Sequence, residues 1–270
     1  MNLDDYNKSS CVKALVYGRP KSGKTALVGK LAEHYKLHWM DLENGIKTLL
    51  NPEILKPEFR KNVNVINIPD HRLNPVAIDT VRQIFKGGLK KICYDHGKIN
   101  CPLCAKNPSA RYSEIDLGKF TKDDILVIDS MSQLGSSAMN RVILRELQKP
   151  DGEEYKPTYQ DYMSQGALLD QVLSMIQVLD MNIVVISHEV DTEKDEKKEA
   201  LVPLGGTRNF SKTMAKYFDS VVYCTIMNKA HRAHSETTYS PTVLTGSRLS
   251  VGVDAAKGNE LSLLPLFKRE

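Results

Sequence analysis

A glycine-rich segment near the start of the chain has the residue types that hold phosphate groups. Residues 18–25 read Gly-Arg-Pro-Lys-Ser-Gly-Lys-Thr and match G-x-x-x-x-G-K-[ST] at every fixed position. A loop of this kind, placed between a strand and a helix, turns several backbone N–H groups toward a triphosphate. Lys24 would reach the β- and γ-phosphates, and the Thr25 hydroxyl would bind Mg²⁺. A plain glycine-rich turn before a helix is the alternative.

The segment predicts that the chain binds ATP together with Mg²⁺. The residues expected to line the nucleotide are Gly18, Arg19, Pro20, Lys21, Ser22, Gly23, Lys24, Thr25 and Ala26. A second part of such a site is an acidic residue after a buried strand, and Asp129 follows four aliphatic residues, 125–128. We expect Asp129 to hold Mg²⁺ directly or through water. A strand that simply ends in an Asp-Ser turn is the alternative.

Hydrolysis of a bound triphosphate needs a group that orients or deprotonates water. Glu43 is the leading candidate because it lies just past the strand predicted to follow the helix after the loop. Asp41 lies two residues earlier, on the same face of an extended chain, and could take the same role. His188 follows the aliphatic run 183–186 and is expected to sense the γ-phosphate, unless it is a surface or packing histidine. Lys24, Glu43 and His188 are thus the predicted catalytic residues.

Four metal-binding residue types form two close pairs in the middle of the chain. Cys93, His96, Cys101 and Cys104 follow the pattern C-x-x-H-x4-C-x-x-C, in which each two-residue gap lets one turn present two ligands to a tetrahedral ion. The sequence predicts a structural Zn²⁺ site of the short knuckle kind. Free surface cysteines are the alternative, and an iron–sulfur cluster is disfavoured because one ligand is histidine. Cys11 and Cys224 have apolar neighbours and are predicted to be core thiols.

The knuckle lies in a basic part of an otherwise slightly acidic chain. The 270 residues are 41% hydrophobic and carry a net charge of +4, an ordinary globular composition. Residues 81–122 contain nine basic and three acidic side chains, so this segment is +6 and the rest is −2. Tyr94 and Tyr112 could stack on bases, and basic zinc knuckles with aromatic neighbours grip single strands. An insert whose lysines are merely solvated is the alternative.

Short aliphatic runs that alternate with helical patterns must position these residues. The predicted strands are Ala14–Tyr17, Leu37–Leu42, Val63–Ile68, Ile125–Ile128, Ile183–Ile186 and Ser220–Ile226, and the predicted helices are Lys24–Tyr35, Asn74–Phe85 and Tyr159–Leu179. Alternation of this kind predicts an α/β fold with a mainly parallel sheet flanked by helices. Residues 87–121 break the alternation and are interpreted as a small zinc-binding insert within a single domain, 1–270. Residues 190–206 are interpreted as a long mobile loop.

Taken in order along the chain, these motifs resemble the RecA-type ATPase core. They are the phosphate-binding loop, Asp-x-Glu after the next strand, I-L-V-I-D-S, V-V-I-S-H and a Gly-Gly loop. At least one strand separates the strand before the phosphate-binding loop from the strand that ends at Asp129. The resemblance is closest to phage-type RecA-like ATPases of single-strand annealing and recombination. It implies the roles given above for Lys24, Thr25, Asp129 and Glu43. His188 stands where RecA proteins usually have Gln.

The resemblance also implies partners and places where they would bind. The segment 190–209 would correspond to a DNA-binding loop, but residues 191–199 hold five carboxylates and three lysines, so Arg208 and Lys212 are the better contacts. A cluster formed by Lys229, His231, Arg232 and His234 could face DNA, reach a neighbouring subunit's phosphate, or be solvated. The implied partners are single-stranded DNA, further copies of the chain in a filament or ring, and a single-strand binding protein.

We interpret the chain as a DNA-stimulated, Mg²⁺-dependent ATPase that acts on single-stranded DNA in recombination, annealing or replication. One alternative is a zinc-containing nucleoside kinase of the thymidine kinase type, although the zinc site there lies near the C-terminus. The other is a nucleotide-gated DNA-binding protein with little hydrolysis. No apolar run approaches the roughly 20 residues of a membrane span, and Met1–Ser10 has no apolar run, so a cytoplasmic location is expected, in the host if a phage encodes the chain.

Overall fold

The computed structural model describes residues 11–192, 200–236, 240–249, 253 and 261–267. The strands are β1 Lys13–Gly18, β2 Lys36–Asp41, β3 Val63–Asn67, β4 Lys90–Cys93, β5 Tyr112–Ile115, β6 Asp124–Asp129, β7 Asn182–Ser187, β8 Glu189–Asp191, β9 Leu201–Pro203, β10 Ser220–Met227, β11 Ala230–His234 and β12 Gly246–Ser247. The α-helices are α1 Lys24–Gly29, α2 Ala77–Phe85, α3 Met131–Val142, α4 Leu144–Leu147, α5 Tyr159–Val178, α6 Arg208–Thr213 and α7 Leu264–Phe267. Short 3₁₀ helices include Lys30–Glu33, Gly45–Leu50 and Pro57–Asn62.

One large sheet organises these elements. Its strand order is β11-β10-β1-β7-β6-β2-β3, and β12 pairs with β10. The strands from β10 to β3 are parallel to one another, whereas β11 and β12 are antiparallel to β10. Strand β7 lies between β1 and β6, which confirms the predicted separation of these two strands. The mainly parallel sheet predicted from the sequence is therefore confirmed.

The central strands are buried on both faces because helices cover both sides of the sheet. Every residue of β1, β6 and β7 is buried, as parallel strands with continuous aliphatic runs require. One core joins side chains of α2, α3 and α5 to one face, including Leu134 and Leu173. A second core joins α1 and α7 to the other face, where Trp39 is fully buried. No helix in the described ranges is both long and apolar enough to cross a bilayer.

Two helices differ from their predicted bounds. The α-helix predicted over Lys24–Tyr35 ends at Gly29 and continues as a 3₁₀ turn. Gly29 is a weak helix former and lies against Leu49, where a Cβ would come within 2.2 Å of a methyl carbon, so a larger residue would require the Leu49 side chain to move. Helix α2 begins later than predicted, because Asp70 accepts hydrogen bonds from the N–H groups of Val76 and Ala77 and caps the helix there.

The segment interpreted as an insert has a small hairpin of its own. Strands β4 and β5 pair antiparallel and flank the cysteine cluster. The hairpin contacts β3, where the Ser113 hydroxyl donates to the Val65 carbonyl at 2.9 Å. Gly97 lies against Ile68 with φ +61° and would place a Cβ 2.8 Å from the Ile68 Cα, so this close approach requires glycine. The insert is thus tied to the edge of the main sheet.

The long loop predicted over residues 190–206 is partly wrong. Its described ends form a second hairpin, because β8 and β9 pair antiparallel directly after β7. The acidic run 193–199 lies outside the described residues. Backbone pairing satisfies the polar groups at both ends, which composition alone does not reveal. Of the two thiols predicted to be in the core, Cys224 is buried and Cys11 is partly exposed.

Candidate nucleotide and metal sites

The predicted site residues follow one another along the carboxyl edge of the parallel strands. The phosphate-binding loop follows β1, His188 follows β7, Asp129 ends β6, and Glu43 lies just past β2. The insert continues this row, since Asn67 at the end of β3 donates from its side chain to the Tyr94 carbonyl at 3.0 Å. Residues from distant parts of the sequence therefore meet at one edge, where ligands bind in open α/β sheets.

The phosphate-binding loop encloses the Lys24 side chain. Lys24 is 6% exposed, and its ammonium group donates to the carbonyl oxygens of Gly18 and Arg19 at 2.8 and 2.7 Å. Burial lowers the pKa of this ammonium group, while the negative charges of Asp129 and Glu43 act to raise it. The Ser22 hydroxyl is buried without a hydrogen-bond partner among the described residues. A buried cation and an unsatisfied donor inside one loop suit a bound phosphate.

Thr25 and Asp129 form the candidate Mg²⁺ site. The Thr25 hydroxyl lies 3.4 Å from Asp129 Oδ2, so two oxygen ligands stand side by side next to the loop. Burial raises the pKa of the Asp129 carboxyl to about 7, and the nearby carboxylates of Glu43 and Asp41 add to this shift. A divalent cation bound here would stabilise the ionised carboxylate and so offset the effect of burial and of the neighbouring carboxylates. The donor set, a hydroxyl and a carboxylate, fits a hard cation such as Mg²⁺.

Glu43 is held by two partners that come from other strands. One carboxylate oxygen accepts a hydrogen bond from the Ser130 hydroxyl, and the other lies 3.1 Å from His188 Nε2. Burial acts to raise the pKa of Glu43, but the hydrogen bonds from His188 and Ser130 outweigh it and leave the pKa below its usual value. Glu43 is therefore ionised at neutral pH. Each carboxylate oxygen can accept a second hydrogen bond, so Glu43 retains acceptor capacity for a water molecule.

Asp41 has a different environment from Glu43. Its side chain is 2% exposed and accepts a hydrogen bond from the Gly45 backbone N–H at 3.0 Å. Burial raises the pKa of Asp41, and the backbone N–H groups of the following turn oppose that shift. The carboxylate thus holds the turn between β2 and the 3₁₀ helix Gly45–Leu50. Because the Asp41 carboxylate is already hydrogen-bonded to the turn, Glu43 is the better candidate for the group that faces water.

The four predicted zinc ligands converge on one point. One ligand atom from each of Cys93, His96, Cys101 and Cys104 lies within 4.8 Å of all the others. His96 Nδ1 is 3.2 Å from the Cys104 sulfur and 3.7 Å from the Cys101 sulfur. Zn–S and Zn–N bonds of ~2.0–2.3 Å at a tetrahedral angle separate neighbouring ligand atoms by about 3.5–3.8 Å. The observed separations, from 3.2 Å to at most 4.8 Å, span this range, and the donor set of three buried thiols and one imidazole suits Zn²⁺.

The residues predicted to contact DNA lie in two places. Arg208 and Lys212 are exposed one turn apart on α6, where the Thr207 side chain caps the helix. The cluster of Lys229, His231, Arg232 and His234 lies on the hairpin of β10 and β11. Within it, His231 points back to the chain's own phosphate-binding loop, with Nδ1 3.0 Å from the Ser22 carbonyl oxygen. His231 thus contacts the chain's own loop, and the contact of the cluster with DNA or with a neighbouring subunit stays a prediction.

Sequence reasoning missed Ser130, which binds Glu43 and also caps α3 by accepting a hydrogen bond from the Gln133 N–H at 3.2 Å. The pattern Ser-x-x-Gln after the Asp129 strand was an available signal for that helix start. Ser132 was missed as well. Its hydroxyl accepts from the His188 backbone N–H at 2.8 Å and so orients the residue that contacts Glu43. No local pattern marks this second contact, because its partners are far apart in sequence.

Replacing Lys24 with alanine should weaken ATP binding by about 10- to 100-fold, because charge-assisted hydrogen bonds to phosphate are each worth ~1.5–3 kcal/mol. Equilibrium titration with a fluorescent ATP analogue measures this change. Lys36→Ala is the matched control, since Lys36 is an exposed lysine at the start of β2, at the opposite edge of the sheet. Equal affinities in the two variants would contradict the role given to Lys24.

The chain matches one family of known proteins over most of its length. A family profile described as an AAA domain matches residues 10–249. No curated protein matches the chain. Among solved structures, one described as an ATPase domain is 14% identical with a TM-score of 0.41, covering 95% of this chain and 83% of that one. A prototypical ATPase from the type III secretion system of pathogenic bacteria is 8% identical with a TM-score of 0.45, covering 95% of this chain and 62% of that one. The match over residues 10–249 shows that the chain belongs to the AAA-domain family and is a P-loop ATPase.

Proposed function

We propose that this ATPase acts on single-stranded DNA, in recombination, annealing or replication, and that it requires Mg²⁺. The observation that carries the proposal is the continuous row along the sheet edge. The phosphate-binding loop follows β1, Asp129 ends β6 and Glu43 follows β2, and the basic insert contacts the end of β3, the strand next to β2. A nucleic acid held by the insert would lie beside the groups that hydrolyse ATP. We further propose that residues 1–270 form a single domain and that 87–121 are its insert.

The proposed chemistry assigns one role to each group at the edge. Lys24 and the loop N–H groups would bind the phosphates, and Thr25 and Asp129 would hold Mg²⁺, whose charge would offset that of the phosphate oxygens. Glu43 orients the attacking water and accepts its proton. His188 contacts Glu43 and directly precedes β8. A change in its contact on loss of the γ-phosphate would therefore be passed into the hairpin of β8 and β9.

Zinc is proposed to give the insert its shape. The core around the cluster is small, because the buried Cys93, Cys101 and Cys104 form a separate group against which Ala110 packs. A metal bound to three thiolates and an imidazole supplies the folding energy that such a segment lacks. Some of its charge is already paired, as in the 2.8 Å contact between Lys91 and Glu114. Exposed pairs of this kind are weak and would exchange readily for phosphate.

Tyr94 is the proposed stacking residue of the insert. Its side chain is 40% exposed, and the Arg111 guanidinium lies 4.2 Å from the centre of its ring. The ring also lines a cavity of about 380 Å³ whose walls are mostly apolar and include Leu50 and Val65. Arg60 borders the same cavity, and its Nε is buried without a hydrogen-bond partner among the described residues. An aromatic face, apolar walls and an unsatisfied donor together suit a nucleobase.

The test is ATP hydrolysis measured as phosphate release while single-stranded DNA is titrated at several salt concentrations. We expect the wild type to be stimulated, with the DNA concentration at half-stimulation rising as salt increases. Tyr94→Ala should raise that concentration about fivefold or more, since stacking is worth ~1–3 kcal/mol per base. Tyr159→Ala is the control, because Tyr159 is 79% exposed at the start of α5, outside the insert.

Each alternative gives its own result in this assay. A rate of ATP hydrolysis that does not change with DNA at any salt concentration would contradict the proposal. Transfer of phosphate to a nucleoside would indicate a kinase, and nucleotide-dependent DNA binding without turnover would indicate a switch protein. The resemblance to RecA-type ATPases also leads us to propose a homo-oligomer, which light scattering with and without ATP would detect.

A further inference from the structure

The hairpin of β10 and β11 braces the phosphate-binding loop at both ends. Its turn consists of Asn228 and Lys229, whose φ angles are +52° and +63°, as a tight two-residue hairpin requires. At one end of the loop, Gly18 pairs with Cys224 of β10, and a Cβ at Gly18 would come within 2.1 Å of the Cys224 carbonyl oxygen. At the other end, a Cβ at Gly23 would lie 2.8 Å from His231 Nδ1. The His231 ring thus fills the space beside Gly23.

The contact between His231 and Ser22 has a defined direction. A carbonyl oxygen only accepts hydrogen bonds, so the 3.0 Å contact requires a proton on His231 Nδ1. The C=O and N–H groups of a trans peptide point to opposite sides. Because the Ser22 carbonyl points to His231 on the hairpin, the Gly23 N–H of the same peptide points away from the hairpin. Loop N–H groups with this orientation are the ones that hold phosphate oxygens.

We propose that His231 is a positioning residue for the nucleotide. It fixes the Ser22–Gly23 peptide so that the Gly23 N–H stays directed at the phosphates before they arrive. The loop then does not have to reorient that peptide when ATP binds, and less free energy of binding is lost to ordering. The contact lies within one chain and involves a loop that binds ATP and ADP alike. His231 therefore supports nucleotide affinity rather than the hydrolysis step.

A pair of variants tests this role. His231→Leu keeps much of the volume and removes the donor, whereas His231→Asn places an amide N–H the same number of bonds from the backbone as Nδ1. The measurements are the dissociation constant of ADP at equilibrium, KM and kcat for ATP, and the melting temperature of each variant. We expect His231→Leu to raise the ADP dissociation constant and KM about threefold to tenfold, the range of one net hydrogen bond. The Asn variant should recover most of this loss.

The division between KM and kcat distinguishes positioning from a merely structural role. Loss of an interaction made equally with bound ATP and with the transition state raises KM and leaves kcat almost unchanged. Partial unfolding would instead lower kcat at constant KM and reduce the melting temperature. Three results would overturn the proposal: unchanged ADP affinity in His231→Leu, an Asn variant as weak as the Leu variant, or a defect that appears only in kcat and depends on protein concentration. The last would assign His231 to a neighbouring subunit's site.

Discussion

The Glu43→Gln variant should bind ATP normally and hydrolyse it about 10²- to 10³-fold more slowly than the wild type. A general base contributes roughly 10²- to 10⁴-fold to such a reaction, and glutamine cannot accept the proton of water. It keeps the length of Glu43 and still offers a carbonyl oxygen to the Ser130 hydroxyl, so the local packing is maintained. Single-turnover phosphate release, together with equilibrium ATP binding, separates the lost chemistry from lost affinity.

Asp41→Asn is the matched control for this prediction, because Asp41 belongs to the same short segment and has the same parity as Glu43. Asparagine keeps a carbonyl oxygen for the Gly45 N–H, so the turn should be retained and the variant should hydrolyse ATP at a rate close to that of the wild type. If Asp41→Asn lost as much activity as Glu43→Gln, or if Glu43→Gln kept a tenth of the wild-type rate or more, the assignment of the water-orienting carboxylate would be wrong.

The second large effect is expected when zinc is removed. Metal analysis of the purified protein should find about one zinc ion per chain, and Cys101→Ser should contain almost none. Loss of a structural zinc removes several kcal/mol of folding free energy, which corresponds to a fall in melting temperature of roughly 10 °C for a chain of this length. Limited proteolysis should then cleave between β4 and β5, where the cluster lies.

Cys11→Ser serves as the control for zinc loss, since Cys11 is a free thiol outside the cluster. It should keep the zinc content and the melting temperature of the wild type. ATP hydrolysis without DNA should persist in Cys101→Ser, because none of the predicted nucleotide residues lies in the insert. A zinc-free wild type that melts at the same temperature as the zinc-loaded protein would show that the four residues do not form a structural metal site.

Local patterns were sufficient for the parts of the fold that short-range physics controls. The run Ile125–Ile128 predicts a strand buried on both faces because an uninterrupted aliphatic stretch has no polar side to expose. The phosphate-binding loop is equally local, since its glycines permit the backbone turn and its Lys-Thr pair follows at once. The two-residue gaps between cysteine and histidine ligands also determine their geometry within single turns. Each of these features depends on residues that are neighbours in sequence.

Contacts between distant segments could not be predicted in this way. His188 and Glu43 are 145 residues apart and meet only because β7, β6 and β2 lie in that spatial order. The hairpin that orders the ends of residues 190–206 depends on backbone pairing, to which the charge of the intervening run gives no clue. The contact of the His231 ring with the phosphate-binding loop likewise depends on the pairing of β1 with β10, because His231 and Ser22 are 209 residues apart.

The amino-acid sequence alone determined that this protein has a phosphate-binding loop, a parallel α/β sheet and a four-residue cluster suited to zinc, because each depends on residue type at short spacing. The tertiary structure decided which carboxylate is free to face water. Asp41 and Glu43 are equivalent in sequence parity, but the turn after β2 buries Asp41 against its own backbone and brings Glu43 to Ser130 and His188. The strand order sets that difference, and strand order follows from the packing of the whole sheet rather than from any segment of it.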